Sequence, residues 1–332
     1  MTFERPAGDG QSVAVLRDLI ALGGAGASVT AVGEGRERPA AGAVRIGLHR
    51  AGPLPTEGFD AFDILLCGDV AAPPPWVGVD APDAAAAALV SRVGAQPAAA
   101  AVAAQVLRTS ERLSFEEALV QESVAYSMLL ASEGFRAWRA ANPPRERAAD
   151  HRSRVAVEVG DGGIAIRLNR PDARNAFDAR MRDELCEALE FASEHPDAPP
   201  VELSGAGLAF SAGGDLDEFG RADDPGRAHL IRTLRSPARL AQALGGRLTA
   251  RLHGACVGAG IEVPAAAAHV TARAGAFFRL PEVSMGLIPG AGGTASIPRR
   301  IGRHRACYMA ISGSDIDVGT ALAWGLVDAV TP

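Results

Sequence analysis

The chain is predicted to be a layered α/β protein, and three features of its second half support this. Val155–Val159 and Gly163–Leu168 flank a glycine-rich turn and predict a β-hairpin. Phe177–Ala192 has apolar residues at helical spacing and predicts an amphipathic helix. Val201–Leu203 and Leu248–Leu252 predict short strands, each followed by a small-residue loop and another helix. Strands that alternate with helices in this way indicate an α/β core.

The composition suits a folded chain with a large core and removes several kinds of chemistry. The 332 residues are 48% hydrophobic, enough for one large or two ordinary domains. The sequence contains no lysine, so all 33 basic residues are arginines. Schiff-base chemistry and the lysine of a phosphate-binding P-loop are therefore excluded.

The charge balance argues against a nucleic-acid partner. The net charge is −6, the isoelectric point is near 5.7 and aromatic residues make up 5%, so basic surface and stacking platforms are both scarce. The first residues lack a basic stretch followed by an apolar one, and the longest alanine and valine runs are far shorter than a membrane span. We expect a cytoplasmic protein that binds neither nucleic acid nor membrane.

The cysteines and histidines show no metal-binding or disulfide pattern. The seven histidines form no H-x-x-x-H pair, so no metal site is expected. The four cysteines form no C-x-x-C pair and are expected to be free, buried thiols. They are Cys67, Cys186, Cys256 and Cys307.

Changes in composition and in hydrophobic pattern along the sequence divide the chain into three segments. These are a small α/β region of unknown role (1–95), a helical segment with a linker (96–150) and a core (151–332). In the first segment, Ser12–Ile20 predicts a strand or the start of a helix, and Ala43–Leu48 and Asp60–Leu66 predict strands. In the second, Ser114 followed by Glu117 is typical of a capping box at a helix start.

Two common motifs are incomplete. Gly258-Ala-Gly260 begins like a dinucleotide-binding loop, but Val263 stands where the third glycine is required. The segment 209–213 is one residue short of the G-x-S-x-G turn of serine hydrolases. Neither function is expected.

Four segments carry the candidate site. They are Leu168–Phe177, Gly205–Phe219, His253–Glu262 and Leu280–Thr294. In the second and third, a strand leads into glycines and alanines and then into a predicted helix. Small residues let a ligand approach the main chain, and a helix N-terminus presents unpaired N–H groups. Two such turns facing each other would stabilise a developing oxyanion, for which a thioester carbonyl is a suitable precursor.

Two glutamates accompany these loops. Glu262 follows the third loop, and Glu282 follows an apolar strand and Pro281. Paired carboxyl groups beside an oxyanion hole can divide acid and base duties, because apolar walls and mutual repulsion separate their pKa values. The alternative for Glu262 is a carboxylate that merely favours a helix dipole, and for Glu282 an ordinary turn residue. Asp215 is predicted to be a helix N-cap.

With these motifs, residues 152–332 resemble the crotonase superfamily, that of enoyl-CoA hydratase and isomerase. The resemblance implies a spiral of ββα turns, acyl-CoA thioester substrates and homotrimers or hexamers. Coenzyme A would be part of the substrate, so no separate cofactor is implied. Residues 96–148 are similar to the helical tail that normally follows the family's core. We therefore hypothesise that the trimerisation helices here precede the core, as in a permuted or degenerate tandem arrangement.

The resemblance also implies catalytic roles by position. The backbone N–H groups of Gly214 and Ala259 would hold the thioester oxygen. Glu262 would activate water for attack on the β-carbon, and Glu282 would deliver a proton to the α-carbon. The leading activity is reversible syn hydration of a 2-enoyl-CoA through an enolate. The alternatives are double-bond isomerisation, another acyl-CoA reaction of this fold, or a non-catalytic CoA-binding assembly partner.

Three further positions would contact coenzyme A. Besides Gly214 and Ala259, the resemblance implies main-chain contacts from Ala173 and Ala212 to the adenine end and a wall beside the thioester from Leu216.

Some residues depart from the family pattern or admit two interpretations. Asp217 stands where many hydratases have a lysine, Ala268 where an acidic residue is usual, and Pro264 just inside the helix after Glu262. The arginine-rich segment 297–305 could contact CoA phosphates or form a solvated helix face. Packing roles are predicted for the remaining aromatic residues of interest, which are Tyr126, Trp138 and Trp324.

Overall fold

The computed structural model describes residues 26–32, 42–146, 150–222 and 224–332. The element predicted at Ser12–Ile20 lies outside the described residues. The strands are β1 (Ala27–Ala31), β2 (Val44–Leu48), β3 (Ile64–Cys67), β4 (Val77–Gly78), β5 (Val155–Gly160), β6 (Gly163–Leu168), β7 (Val201–Gly205), β8 (Leu248–Leu252), β9 (Ala255–Val257), β10 (His269–Arg273), β11 (Phe277–Arg279), β12 (Ile316–Asp317) and β13 (Ala329–Thr331).

The α-helices are short to medium in length. They are α1 (Pro82–Ala95), α2 (Pro97–Ser110), α3 (Phe115–Leu130), α4 (Glu133–Ala141), α5 (Ala179–Glu194), α6 (Pro225–Leu234), α7 (Pro237–Ala243), α8 (Ala259–Glu262), α9 (Gly293–Ile301), α10 (Arg303–Ser312) and α11 (Val318–Trp324). Within the described ranges no single helix is long and apolar enough to cross a membrane, and α1 and α2 pass that test only as a pair bent by 111°.

The second half forms two stacked sheets. The larger has the order β13-β10-β8-β7-β6-β5, and only the predicted β5–β6 hairpin is antiparallel within it. The smaller has the order β12-β11-β9. Each of the units β8–β9 and β10–β11 places one strand in each sheet, which is the ββα spiral predicted for this half. Because β9 and β11 are parallel neighbours, the loops that follow them leave from the same edge.

The first half adds a parallel sheet and a layer of helices. The sheet has the order β1-β2-β3-β4, and β2 and β3 lie where strands are predicted. The predicted start of β3 is instead a 3₁₀ turn at Phe59–Ala61. The predicted capping box is present at the start of α3, where Ser114 accepts a hydrogen bond from the Glu117 N–H and Glu117 accepts one from the Ser114 N–H.

The two halves share one apolar core. A continuous cluster of buried side chains runs from Val44 in β2 to Val327 before β13. All four cysteines are free and buried, as predicted. The division into three segments stays a prediction.

Arg303 and Arg305 of segment 297–305 link the two halves, and both roles predicted for the segment are wrong at these two positions. Arg305 is buried and donates from Nε to the Trp76 carbonyl (2.9 Å) and from Nη2 to the Ala72 carbonyl (3.0 Å). Arg303 donates to the Phe62 carbonyl (2.8 Å). These guanidinium groups point inward because they satisfy carbonyls beside β3 and β4 that would otherwise be buried without partners.

Replacing Arg305 with alanine should destabilise the protein strongly. Two buried carbonyl groups would lose their donors, and we expect the free energy of unfolding to fall by about 3 kcal/mol in urea titrations. The control is Arg251→Ala, whose surface ion pair with Glu202 has 63% of the arginine side chain exposed and should contribute less than about 1 kcal/mol. Equal losses for the two variants would contradict the anchoring role of Arg305.

Candidate active site

The four predicted catalytic positions line one cavity of about 250 Å³. Gly214 enters it from the loop after β7, and Ala259 and Glu262 enter it from α8. Glu282 enters it from the turn after β11. Helix α3 of the first half also lines the cavity. Residues distant in the sequence are thus brought together as the motif spacing predicts.

The two predicted N–H donors carry no hydrogen bond to the described part of the chain. Gly214 forms a strand-like bridge with Phe177, in which the Phe177 N–H donates to Gly213 (2.8 Å) and the Asp215 N–H donates to Phe177 (2.8 Å). This pairing occupies the neighbours of Gly214 and leaves its own N–H group without an acceptor there. Ala259 is the first residue of α8, so its N–H group has no acceptor within the helix.

The prediction of a helix directly after Gly214 is wrong, and so is the N-cap role of Asp215. Residues 216–220 form a turn, and α6 begins only at Pro225. Asp215 is buried and accepts a hydrogen bond from Arg170 Nη1 (2.7 Å) and from the Asp217 N–H (3.1 Å). The pairing of Gly214 with Phe177 extends the chain here, so Asp215 stabilises a turn and an ion pair instead of a helix start.

Glu262 is held by the loop that precedes α9. Its Oε2 atom accepts hydrogen bonds from the Ala291 N–H (2.7 Å) and the Gly293 N–H (3.0 Å). Its carbonyl accepts from Ser296 Oγ (2.7 Å). Pro264 lies beyond the end of α8, in a separate 3₁₀ turn. The proline therefore removes no N–H donor from α8.

Glu282 faces Glu262 across Gly258. A Cβ atom at Gly258 would lie 2.5 Å from Glu282 Oε1 and 3.6 Å from Glu262 Oε1. Gly258 also has φ +50°, so both its conformation and the space around it require glycine. Glu282 Oε2 is buried and has no hydrogen-bond partner among the described residues. A buried, unpartnered carboxyl oxygen beside a cavity is available to a ligand.

Burial raises the pKa of both carboxyl groups. It raises the pKa of Glu282 to about 8. The pKa of Glu262 is raised first by burial and then by the nearby Glu282 and Glu122, while the N–H groups of Ala291 and Gly293 oppose the rise. Glu282 is therefore protonated near neutral pH, as a proton donor must be.

Two cavity residues on α3 were not predicted as functional. Glu122 is 2% exposed and lines the cavity from the first half of the chain. In the sequence, Glu122 is indicated only by its spacing, which places its carboxylate on the same face of α3 as Leu119 and Tyr126. Tyr126 was predicted only to pack. It does pack against Gly290 and under Arg232, whose Cζ lies 4.9 Å from the ring centre, but it also lines the cavity.

A family model described as enoyl-CoA hydratase/isomerase matches residues 158–332. The chain belongs to this family. The predicted membership in the crotonase superfamily is confirmed, and so is the fold predicted for the core. The placement of trimerisation helices before the core stays a prediction.

Individual relatives agree with this assignment. The chain is 36% identical over 174 residues to a 2,3-dehydroadipyl-CoA hydratase of Escherichia coli, covering 51% of this chain and 66% of the relative. It is 32% identical over 177 residues to a mevalonyl-coenzyme A hydratase of Beauveria bassiana, covering 51% of this chain and 63% of the relative. The chain thus spans slightly less than two thirds of these relatives.

Among solved structures, a candidate enoyl-CoA hydratase/isomerase from Mycobacterium abscessus is 37% identical with a TM-score of 0.50. That alignment covers 53% of this chain and 70% of the other.

The other positions implied by the family resemblance are not among the residues that line the cavity. The Ala173 N–H donates to Arg170 (3.1 Å), the Ala212 N–H donates to Arg174 (2.9 Å), and the Leu216 carbonyl accepts from Arg139 Nη2 (2.7 Å). Their roles in binding coenzyme A stay predictions.

Asp217, the residue found in place of the family's usual lysine, has a structural role. It accepts hydrogen bonds from the Arg145 backbone N–H (3.0 Å) and from Arg145 Nε (3.2 Å). The acidic residue therefore ties the segment that follows α4 to the active-site loop after β7.

The raised pKa of Glu282 predicts a specific dependence of stability on pH. The pKa of Glu282 rises from 4.5 to about 8 on folding. The contribution of its protonated carboxyl group to the free energy of unfolding is therefore complete below pH 4.5 and is lost as the pH rises through about 8. Relative to wild type, Glu282→Gln should raise the free energy of unfolding by about 2 kcal/mol more at pH 8 than at pH 5. Urea titrations at both pH values measure this, with the exposed Glu187→Gln as control. The same difference at both pH values would contradict it.

Proposed function

We propose that the protein hydrates 2-enoyl-CoA thioesters reversibly, by syn addition of water. The observation that carries the proposal is the pair of buried carboxyl groups facing each other in a cavity that also receives two N–H donors. A single carboxyl group would be enough for isomerisation. Addition of water instead needs one group to take a proton from water and another to give one to carbon.

The arrangement of donors suits an enolate intermediate. The thioester oxygen accepts hydrogen bonds from the N–H groups of Gly214 and Ala259, and its charge grows as water attacks the β-carbon. Glu262 accepts the proton released by water, because the N–H groups of Ala291 and Gly293 stabilise its ionised form. Protonated Glu282 then gives its proton to the α-carbon. Transfer of the proton from Glu262 to Glu282 restores the starting protonation state of both glutamates. Coenzyme A enters with the substrate, and the proposed reaction uses no other cofactor.

We also propose that the chain assembles as a homotrimer or hexamer through adjoining faces of α3 and α6. Exposed apolar side chains repeat along both helices at a spacing of four residues. They are Val120, Val124 and Met128 on α3, and Leu230 and Leu234 on α6. Helices α3 and α6 pack against each other, and we infer that the two rows adjoin as one apolar surface. A second copy of the chain would remove this surface from water.

The assembly is tested by light scattering on purified protein. The wild type should have three or six times the mass of one chain, and Val124→Glu with Met128→Glu should shift the mass toward a single chain. A charge placed in an apolar interface costs several kcal/mol, which the remaining contacts would not offset. The control is Val90→Glu, an exposed valine on α1. A wild type that is already monomeric, or a double variant with unchanged mass, would contradict the proposed surface.

The activity is tested with crotonyl-CoA, by following loss of the enone absorbance. Glu262→Gln and Glu282→Gln should each lower kcat by about a thousandfold, because each removes one proton-transfer group. The wild-type kcat/KM should fall as the pH rises above about 8, where Glu282 loses the proton that it must donate. The control is Glu187→Gln, at an exposed residue that does not line the cavity. It should change neither kcat nor the pH dependence of kcat/KM.

Three outcomes would overturn the proposal. Turnover that survives both glutamine substitutions would exclude the proton chemistry. Conversion of 3-enoyl to 2-enoyl thioesters without hydration would identify an isomerase. Acyl-CoA binding without any turnover would identify a non-catalytic binding partner.

A further inference from the structure

The segment 291–294, which leads into the first turn of α9, binds two carboxylates with alternate backbone N–H groups. The N–H groups of Ala291 and Gly293 donate to Glu262. Those of Gly292 and Thr294 donate to Glu122, each over 2.7 Å, and Thr294 Oγ1 adds a third bond of 2.7 Å. One short stretch of main chain is therefore held from one side by the proposed base and from the other side by α3.

The close approach of α3 is built into this loop. Gly292 has φ +106°, and a Cβ atom there would lie 2.5 Å from Ala238 Cβ and 3.3 Å from Leu119 Cδ2. Any other residue would push α3 and α7 away from the start of α9. The glycine therefore brings the Glu122 carboxylate within hydrogen-bond distance of its two N–H donors.

Burying the Glu122 carboxylate costs more free energy than a purely structural contact would require. It is 2% exposed, and Glu262 and Glu282 line the same cavity. The titratable groups that face Glu122 are these two glutamates, the neutral Tyr126 phenol and the Arg232 guanidinium. The side chain nevertheless uses both carboxylate oxygens, Oε1 for the Gly292 N–H and Oε2 for Thr294. An amide has a single acceptor oxygen, so the carboxylate itself is expected to matter.

We propose that Glu122 is a positioning residue of the active site, which holds Gly292 and Thr294 so that the N–H groups of Ala291 and Gly293 are aimed at Glu262. The role in catalysis rests on the proposed function, whereas the effect on the loop does not. The proposal also assigns a task to the helical segment before the core: it supplies a group that completes the site.

The first test measures the loop without any substrate. Backbone hydrogen exchange of a peptide covering residues 287–300 is followed by mass spectrometry in wild type, Glu122→Gln and Glu116→Gln. Glu116 lies on the same helix but is exposed, so its variant should match the wild type. Exchange in Glu122→Gln should be at least about tenfold faster, because the amide cannot accept from both Gly292 and Thr294. Unchanged exchange would overturn the proposal.

The second test uses turnover of crotonyl-CoA. Glu122→Gln should lower kcat about tenfold with KM changed less than about twofold, because the base is misaimed while the thioester still binds. Loss of the Glu122 charge also lowers the pKa of Glu262 and of Glu282, since that charge raises both. The alkaline fall of kcat/KM should therefore move to lower pH by about half a unit or more. The shift of this limb reports the loss of the Glu122 charge, and the fall in kcat at nearly constant KM reports the aim of the base. An unmoved limb with unchanged kcat would overturn the proposal.

A milder variant decides the case if Glu122→Gln does not fold. Thr294→Val removes only the hydroxyl bond to Glu122 and keeps the shape of a buried side chain. It should speed exchange at the loop and lower kcat about threefold, and wild-type values for both would refute the proposal. A wild type without hydratase activity would instead refute the proposed function, and the exchange measurement would still decide whether Glu122 holds the loop.

Discussion

The active site depends on one set of hydrogen bonds, those between the main chain before α9 and two buried carboxylates. A buried carboxylate without hydrogen-bond donors is too costly to remain charged, and a helix N-terminus has N–H groups that lack partners within the helix. Here the N–H groups at the start of α9 donate to the buried carboxylates, so both kinds of group have partners. Glu262 and Glu122 accept from alternate residues of the segment 291–294, so neither carboxylate can move without disturbing the donors of the other.

The parts of the site that could be predicted from sequence are those set by local chain geometry. Glu262 and Glu282 each follow the end of a short strand, and the pairing of β9 with β11 places both ends at one edge. Asp215 was assigned wrongly because small residues before an aspartate are equally compatible with a helix start and a turn. The deciding contact is the pairing of Gly214 with Phe177, which lies on another segment and leaves no local signal.

The contacts made by the first half could not be predicted for a similar reason. The Glu122 carboxylate accepts from N–H groups that lie 170 and 172 residues further along the chain. In sequence it is one glutamate on an apolar helix face, which is also typical of a side chain at the edge of a core. Arg303 and Arg305 belong to a basic stretch, which is typical of a solvent-exposed helix face or of a phosphate-binding segment. Their acceptors are main-chain carbonyls, which no composition reveals.

Docking of the first half and protonation of the site are thermodynamically linked. When α3 brings the Glu122 carboxylate to the start of α9, its charge raises the pKa of Glu262 and of Glu282. By reciprocity, protonation of either glutamate must strengthen the docking of α3, because it removes the repulsion that docking creates. The proton that Glu282 donates in the proposed reaction is thus partly retained by the helix that closes the cavity. A site built only from the core loops would lack this contribution, so in the proposed reaction the segment before the core takes part in the chemistry as well as in the fold.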